Sequence, residues 1–183
     1  MRLHTAIALL ISASATSASA QSWTNLAAAG TAPIPRYRHT TVYDPSSNRL
    51  ILFGGHAPTS GCGLNPLNDT WVLTNANGTG GPSSWVQLAP TGPLPAARGA
   101  HGAGYDATND KMIVFGGDSA GCVPPTFNDI WVLNGASGTH GTPSWTQLAT
   151  SGSTPPGLVK SAVVYDAVRN MLFVFGGNTS EGN

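Results

Sequence analysis

The apolar hexapeptide Leu50–Gly55, with the sequence LILFGG, occurs three times in this chain and decides its fold. It returns as MIVFGG at Met112–Gly117 and as LFVFGG at Leu172–Gly177. The first glycines of successive pairs are separated by 62 and then by 60 residues. A period of this length predicts a row of similar structural units packed side by side.

Other landmarks keep the same step along the chain. A Tyr-Asp pair precedes each hexapeptide, and an Asn-Asp-x-Trp-Val-Leu segment follows the first two of them. The five tryptophans all occupy repeat positions: Trp23, Trp85 and Trp145 in Ser-Trp pairs, and Trp71 and Trp131 in the Asn-Asp segments. Several landmarks that recur in the same order indicate a duplicated unit.

Each unit is predicted to form four short strands. In the first complete unit, one strand runs from about His39 to Tyr43, and a turn of Asp, Pro, Ser and Asn follows at 44–48. The hexapeptide is the second strand, and its unbroken hydrophobicity predicts burial on both faces. The third strand carries Trp71 and the fourth carries Trp85. No segment has a sustained helical period, so the predicted class is all-β, with each unit forming one four-stranded blade of a β-propeller.

On these residues the chain resembles the kelch-repeat β-propellers, of the secreted bacterial type related to the central domain of galactose oxidase. The resemblance implies a structural role for the recurring landmarks, which are Gly54, Gly55, Gly116, Gly117, Gly176, Gly177, Trp71, Trp85, Trp131 and Trp145. The unit is longer than the roughly 50 residues usual for a kelch repeat, with the additional residues in two loops. The third unit also departs from the pattern, because Leu158 and Ser161 replace Arg98 and His101.

Residues 1–20 have the features of a signal peptide. Arg2 precedes a short apolar stretch, and Ala18-Ser19-Ala20 supplies the small residues that a signal peptidase requires. The stretch is too short for a stable membrane span, although a weak membrane anchor is the alternative. We therefore predict a secreted or periplasmic protein that begins at Gln21 and does not insert into a membrane after cleavage.

The remaining residues, 21–183, are predicted to form part of a propeller. Residues 21–30 resemble an isolated fourth strand, which in propellers similar to this one completes the last blade. Blades follow at 36–92 and 98–152, and an incomplete blade at 158–183. The eleven strands amount to about 2.75 blades, whereas propellers contain about four to eight. The chain is therefore expected to be a fragment of a larger propeller, or else to form a strand-exchanged assembly.

One face of the predicted propeller carries the connections between blades and the long loops that follow the second strands, 56–68 and 118–128. Four of its residues are candidates for holding an anionic or polar ligand: Arg36, His39, Arg98 and His101. The alternative is that they are repeat-pattern residues that bond to neighbouring backbone at the start of each blade. The recurrence of Arg and His after 62 residues favours this alternative.

Cys62 and Cys122 each lie nine residues before a third-strand tryptophan, so they occupy equivalent loops on that face. In an exported protein such a pair is a candidate disulfide, although equivalent loops need not bring the two Cα atoms within about 7 Å. No histidine or cysteine spacing is typical of a metal site, and no serine lies in a nucleophile elbow. We therefore predict no metal, no cofactor and no catalytic residue.

The charge of the chain excludes some partners. Eight basic residues balance eight acidic ones, and charged residues make up only 9% of the chain, so the electrostatic footprint of a nucleic-acid-binding protein is missing. The resemblance implies a non-catalytic binding module with a protein or glycan ligand. Two alternatives stay open: a carbohydrate-active enzyme of the oxidase or sugar isomerase type on the same scaffold, and a spacer in a larger surface protein.

Overall fold

The computed structural model describes residues 7–9, 23–59, 64–120 and 125–179. Regular structure within these ranges is β-structure alone, and no helix there is long and apolar enough to cross a membrane. The strands are β1 (Ile7–Leu9), β2 (Trp23–Asn25), β3 (Thr40–Asp44), β4 (Arg49–Phe53), β5 (His56–Ala57), β6 (Asn65–Pro66), β7 (Thr70–Thr74), β8 (Ser84–Leu88), β9 (Gly102–Asp106), β10 (Lys111–Phe115), β11 (Ile130–Asn134), β12 (Ser144–Leu148), β13 (Ala162–Asp166) and β14 (Met171–Phe175).

Two antiparallel four-stranded sheets form the predicted complete blades. The first blade has the strand order β3-β4-β7-β8 and the second has the order β9-β10-β11-β12. Their registers agree, because Leu52 pairs with Trp71 in the first blade and Val114 pairs with Trp131 in the second. The third blade consists of β13 and β14 among the described residues. The first strands β3, β9 and β13 lie next to one another in that order.

The core lies between the first and second blades. Its buried side chains are Ile51, Phe53 and Val72 from the first blade and Met112, Val114, Trp131, Leu133, Ala136 and Trp145 from the second. The rings of Phe53 and Trp145 lie 4.8 Å apart, centroid to centroid. Residues Met112–Phe115 are all buried, as expected for a second strand that is covered on both faces.

The Gly-Gly pairs lie where one blade meets the next. The backbone N–H of Gly55 donates to the carbonyl of Arg98 at 2.9 Å, and Gly117 donates to Leu158 at 2.8 Å. Gly54 and Gly55 have φ of 61° and 96°, and a Cβ on Gly54 would lie 2.7 Å from the carbonyl oxygen of Arg98. Glycine is therefore required both for the backbone conformation and for the close approach of the neighbouring blade.

The N-terminal segment occupies the place of a preceding blade's fourth strand. Ala29, which follows β2, exchanges backbone hydrogen bonds of 2.8 and 2.9 Å with Ser83 and Trp85 of the first blade. Thr91, which follows β8, makes the same pair of bonds with the second blade, to Pro143 and Trp145. Among the described residues, β2 itself pairs with β1, which lies within the predicted signal peptide.

The small hairpin formed by β5 and β6 was not predicted. It lies in the loop after the second strand of the first blade and pairs His56 with Pro66 and Ala57 with Asn65. Strands of two residues have no hydrophobic alternation by which a sequence pattern could identify them.

Candidate functional site

The start of each blade lies beside the loop that follows its second strand. Isolated antiparallel bridges join Tyr37 to His56, Gly99 to Asp118 and Val159 to Asn178. We call this face the mouth, and it comprises 36–40, 98–102 and 158–162 together with His56, Asp118 and Asn178. The first residues of the two predicted long loops, His56 and Asp118, therefore lie beside the starts of their blades.

Arg36 forms a bidentate salt bridge with Asp69 inside the first blade. Its guanidinium donates from Nη1 to Asp69 Oδ1 at 2.5 Å and from Nη2 to Asp69 Oδ2 at 2.8 Å. It also donates to the carbonyls of Gly54 at 3.0 Å and Ile34 at 3.2 Å. Asp69 accepts a further bond from the indole of Trp71. The arginine side chain is 3% exposed, so its hydrogen-bonding capacity is directed into the protein.

Arg98 repeats this arrangement in the second blade. It binds both carboxylate oxygens of Asp129, at 2.6 and 2.9 Å, and the carbonyl of Gly116 at 2.9 Å. Trp131 donates its indole N–H to the same carboxylate, and the ring of Phe127 lies 4.2 Å from the guanidinium carbon. The Arg98 side chain is fully buried. Each pair joins the start of its blade to the turn before the third strand.

The pKa values of the two carboxyl groups reflect these partners. Burial raises the pKa of Asp129, but the hydrogen bonds from Arg98 and Trp131 and the charge of Arg98 outweigh it, and the pKa lies below its usual value. The pKa of Asp69 is lowered in the same way by Arg36 and Trp71. Both groups are therefore ionised in the folded protein over a wider pH range than in the unfolded chain.

We expect the protein to lose stability in acid because of these two groups. A carboxyl whose pKa is lower in the folded state stabilises that state above its unfolded pKa of about 3.9, and the contribution disappears as pH falls through the folded pKa. Urea unfolding between about pH 6 and about pH 2.5 should show a steadily decreasing free energy of unfolding below about pH 4. Asp129→Asn should make this decrease shallower. An identical pH profile in that variant would contradict the assignment.

His101 is buried at the junction of the first two blades. Its Nε2 lies 2.6 Å from Thr40 Oγ1 and its ring meets Phe53 edge to face at 5.3 Å. Burial, followed by the nearby charges of Arg98, His39 and His56, lowers its pKa to about 3. His101 is therefore neutral near neutral pH. His39, the equivalent residue of the first blade, is exposed, and partial burial and the charge of Arg36 lower its pKa.

A second polar group connects the first two blades at the mouth. His56 Nε2 lies 2.7 Å from Asp118 Oδ1, and Arg38 Nη1 approaches Asp118 Oδ2 at 3.4 Å. His56 is completely buried and Asp118 nearly so, whereas the Arg38 side chain is 36% exposed. The Arg38 guanidinium also lies 5.7 Å from the centre of the Tyr37 ring. Of these side chains, Arg38 and Tyr37 are the ones that solvent or a ligand can reach.

A chain of backbone hydrogen bonds runs along the mouth at one repeat position. Ala100 N–H donates to the carbonyl of Arg38, and Lys160 N–H donates to the carbonyl of Ala100, both at 2.8 Å. All three residues have a left-handed backbone, with φ of 56°, 53° and 58°. Two of the three carry a cationic side chain. The exposed side chain of Lys160 was not among the sequence candidates, although its equivalence to Arg38 follows from the repeat alone.

The four sequence candidates are thus in different environments. Arg36, Arg98 and His101 are buried with partners inside the protein, whereas His39 is exposed. The bonds from the arginines to Gly54 and Gly116 are those expected of the structural alternative. Cys62 and Cys122 lie outside the described residues. Within the described ranges, no three His, Cys, Asp or Glu side chains are grouped as metal ligands.

Comparison with known proteins agrees with this architecture. The model of the KLHDC2/KLHL20/DRC7 Kelch-repeats domain matches residues 12–183. The solved structure of YjhT superposes with a TM-score of 0.54 at 17% sequence identity, over 81% of this chain and 36% of that one.

Curated relatives are similar in sequence over most of this chain. The leucine-zipper-like transcriptional regulator 1 homolog of Drosophila melanogaster is 30% identical over 87% of this chain and 15% of its own length. The Rab9 effector protein with kelch motifs of Xenopus laevis is 30% identical over 85% of this chain and 53% of its own. The chain therefore spans from about one seventh to about half of these relatives.

Proposed function

The chain belongs to the kelch-repeat family, and on that premise we propose that it is an exported, non-catalytic binding module that takes its ligand at the mouth. The names of its relatives are those of a transcriptional regulator and a Rab9 effector, which supports binding rather than catalysis as the role of the repeats. Export is supported by the signal-peptide pattern of residues 1–20.

The observation that carries this proposal is the pair of cations at the mouth. A left-handed backbone conformation is common for Gly, Asn and Asp. For other residues it costs about 1 kcal/mol or more of conformational energy. Arg38 and Lys160 nevertheless occupy such positions, and both side chains reach solvent. A strained backbone that holds polar side chains at a surface opening is typical of ligand-binding sites.

The charges at the mouth favour an anionic group on the ligand. The carboxylate of Asp118 is shared between His56 and Arg38, and its distance from Arg38 is a long 3.4 Å. Lys160 has no salt bridge among the described residues. The proposed ligand is therefore a protein or glycan that presents a carboxylate, sulfate or phosphate, which a guanidinium can bind through two hydrogen bonds.

Removal of the two cations should weaken the binding of such a ligand. We expect an Arg38→Ala/Lys160→Ala variant to bind at least about tenfold more weakly, since each charge-assisted contact contributes about 1.5–3 kcal/mol. The probes are an array of carboxylated and sulfated glycans and a library of acidic peptides, and the affinity of the best binder is measured by calorimetry. Because His56 still bonds to Asp118 and Arg38 lies at a long 3.4 Å from it, the variant should lose no more than about 1 kcal/mol of stability.

The matched control is Arg169→Ala. Arg169 is an exposed cation, 69% accessible, in the turn between β13 and β14 at the opposite end of the third blade's strands. Its loss should leave affinity unchanged. Equal affinity of the mouth variant and the unaltered protein, or an equal loss in Arg169→Ala, would show that the ligand does not bind at the mouth.

A further inference from the structure

A polar cavity of about 260 Å³ lies where the first two blades meet, at the end of their strands opposite the mouth. The turn after β3, the turn after β9 and the loop after β11 form its walls, and its polar lining residues are Ser46, Thr108, Asn109, Asp110 and His140. Both blades have all four strands among the described residues, so these walls do not depend on the third blade. The volume is below the range of about 300–1,000 Å³ that is usual for drug-sized ligands, and it therefore suits a single small ring.

Asp110 is the one carboxylate in the described lining, and its oxygens are already occupied. Oδ1 accepts hydrogen bonds from the Tyr105 hydroxyl and from the backbone N–H of Ser137, both at 2.8 Å. Oδ2 accepts from the Ser137 hydroxyl at 2.6 Å and lies 3.4 Å from His140 Nδ1. A carboxylate has about four lone-pair sites, and these contacts use them. Because the described lining also contains no Lys or Arg, the cavity offers a charged ligand neither a free carboxylate oxygen nor a permanent cation.

Two neighbouring lining residues, Thr108 and Asn109, keep hydrogen-bonding capacity for a ligand, and both are exposed. The backbone N–H of Thr108 donates to Asp106, whereas the Thr108 hydroxyl bonds to no described residue. The side chain of Asn109 donates from Nδ2 to Asp106 Oδ2 at 2.7 Å, which leaves its Oδ1 without a partner among the described residues. A hydroxyl that can donate and accept and an amide oxygen that accepts therefore lie side by side at the cavity.

His140 lies in the cavity wall but is not needed to form its loop. The loop after the third strand closes with the same 2.9 Å backbone hydrogen bond in both complete blades, and Gly80 occupies the equivalent position in the first blade. His140 Nδ1 lies 2.9 Å from Thr139 Oγ1 and 3.4 Å from Asp110 Oδ2, and these contacts orient the ring. In the neutral imidazole with its proton on Nδ1, Nε2 is an acceptor. The side chain is 72% exposed and Nε2 has no partner among the described residues, so a ligand can reach it.

We propose that this cavity binds a neutral monosaccharide through its ring hydroxyls. The sugar hydroxyls donate to Asn109 Oδ1 and His140 Nε2, and one of them exchanges a hydrogen bond with the Thr108 hydroxyl. A neutral polyol suits these groups, because they are uncharged and two of the three only accept hydrogen bonds. The cavity is therefore a second binding site on the face opposite the mouth. Its ligand carries no charge, whereas the proposed ligand of the mouth carries an anionic group.

Titration of the full chain with D-glucose, D-galactose, D-mannose and N-acetyl-D-glucosamine tests this site. We expect at least one of these sugars to bind saturably by calorimetry and to shift the NMR amide signals of Thr108, Asn109 and His140. D-Glucosamine adds an ammonium group to the same ring and should bind no more tightly than D-glucose. Binding of D-glucosamine at least about tenfold tighter would show that the cavity recognises a cation. That result, the lack of saturable binding by all four sugars, or signal shifts confined to the mouth would overturn the proposal.

Two variants and a matched control locate the sugar. Thr108→Val keeps the shape of the side chain and removes its hydroxyl, and His140→Gly gives the loop the glycine of the first blade. Each should weaken binding about fivefold, which is the loss expected for one hydrogen bond between neutral groups. Thr142→Val is the control, because Thr142 is exposed in the same loop as His140 but lies outside the cavity lining, and it should leave the affinity unchanged. The cavity is refuted as the site if neither substitution weakens binding, or if Thr142→Val weakens it as much.

Discussion

Replacing Arg98 with leucine is expected to lower the free energy of unfolding by about 3 kcal/mol, because it leaves a half-buried carboxylate without its counter-ion. Asp129 would keep one hydrogen bond, from the indole of Trp131, and would lose both bonds to the guanidinium. The carbonyl of Gly116 would lose its bond from the same side chain. The Asp129 side chain is 21% exposed, which places the effect at the lower end of the range for broken buried pairs.

Urea unfolding monitored by circular dichroism measures this loss. Since Leu158 stands at the equivalent position of the third blade, leucine is compatible with the local backbone, and the cost reports on the lost charge pair. Adding Asp129→Asn to Arg98→Leu removes the uncompensated charge and should restore part of the stability. The exposed pair of Arg169 and Asp166 provides the reference, and Arg169→Ala should change stability by less than about 1 kcal/mol. Equal costs for Arg98→Leu and Arg169→Ala would contradict a structural role for Arg98.

The strands and their order could be predicted because each landmark recurs at the same step. The apolar run of the second strand and the tryptophan of the third determine which strands pair, and the structure aligns Leu52 with Trp71 as it aligns Val114 with Trp131. Ala29, after the N-terminal segment, bonds to the first blade as Thr91 bonds to the second. In a repeat protein the same strand assignment must fit every unit, so a pattern that recurs in three units determines the strands better than one occurrence would.

The ion pairs of the mouth could not be predicted in the same way. Sequence analysis named Arg36 and Arg98 as candidate ligand contacts but favoured a structural role in which they bond to neighbouring backbone, and it did not pair them with Asp69 or Asp129. In the structure, Arg36 binds Asp69 and Arg98 binds Asp129. The spacing of 33 and 31 residues within the pairs is a signal only after the fold shows that the start of a blade lies beside the turn before its third strand.

Burial is the property that separates the mouth residues, and sequence does not report it. His39 and His101 occupy equivalent repeat positions, yet His39 is exposed whereas His101 is buried, with 4% of its surface accessible. The difference arises because the first blade covers His101 through Thr40 and Phe53. Contact with the neighbouring blade, rather than the local sequence, therefore separates the two histidines in this structure.

Gly116→Ala is expected to destabilise the protein by about 3 kcal/mol, whereas Gly176→Ala at the equivalent position should cost only about 1 kcal/mol. The two glycines have nearly the same backbone conformation, with φ of 71° and 66°. A Cβ on Gly116 would lie 2.5 Å from the carbonyl oxygen of Leu158, whereas a Cβ on Gly176 would meet no described atom within 4 Å. Both variants therefore carry the cost of a left-handed alanine, and only Gly116→Ala must also displace the neighbouring blade.

That displacement acts on the bond that joins the second and third blades. Gly117 N–H donates to the Leu158 carbonyl at 2.8 Å, so moving this carbonyl weakens a buried hydrogen bond in addition to relieving the clash. Urea unfolding gives the two costs, and hydrogen exchange of the Gly117 amide should become faster in Gly116→Ala and stay unchanged in Gly176→Ala. Gly54→Ala should behave like Gly116→Ala, since its Cβ would lie 2.7 Å from the carbonyl oxygen of Arg98. If all three variants lost the same stability, the Gly-Gly pairs would be required only for their left-handed backbone conformation. Close contact between blades would then not be the reason for their recurrence.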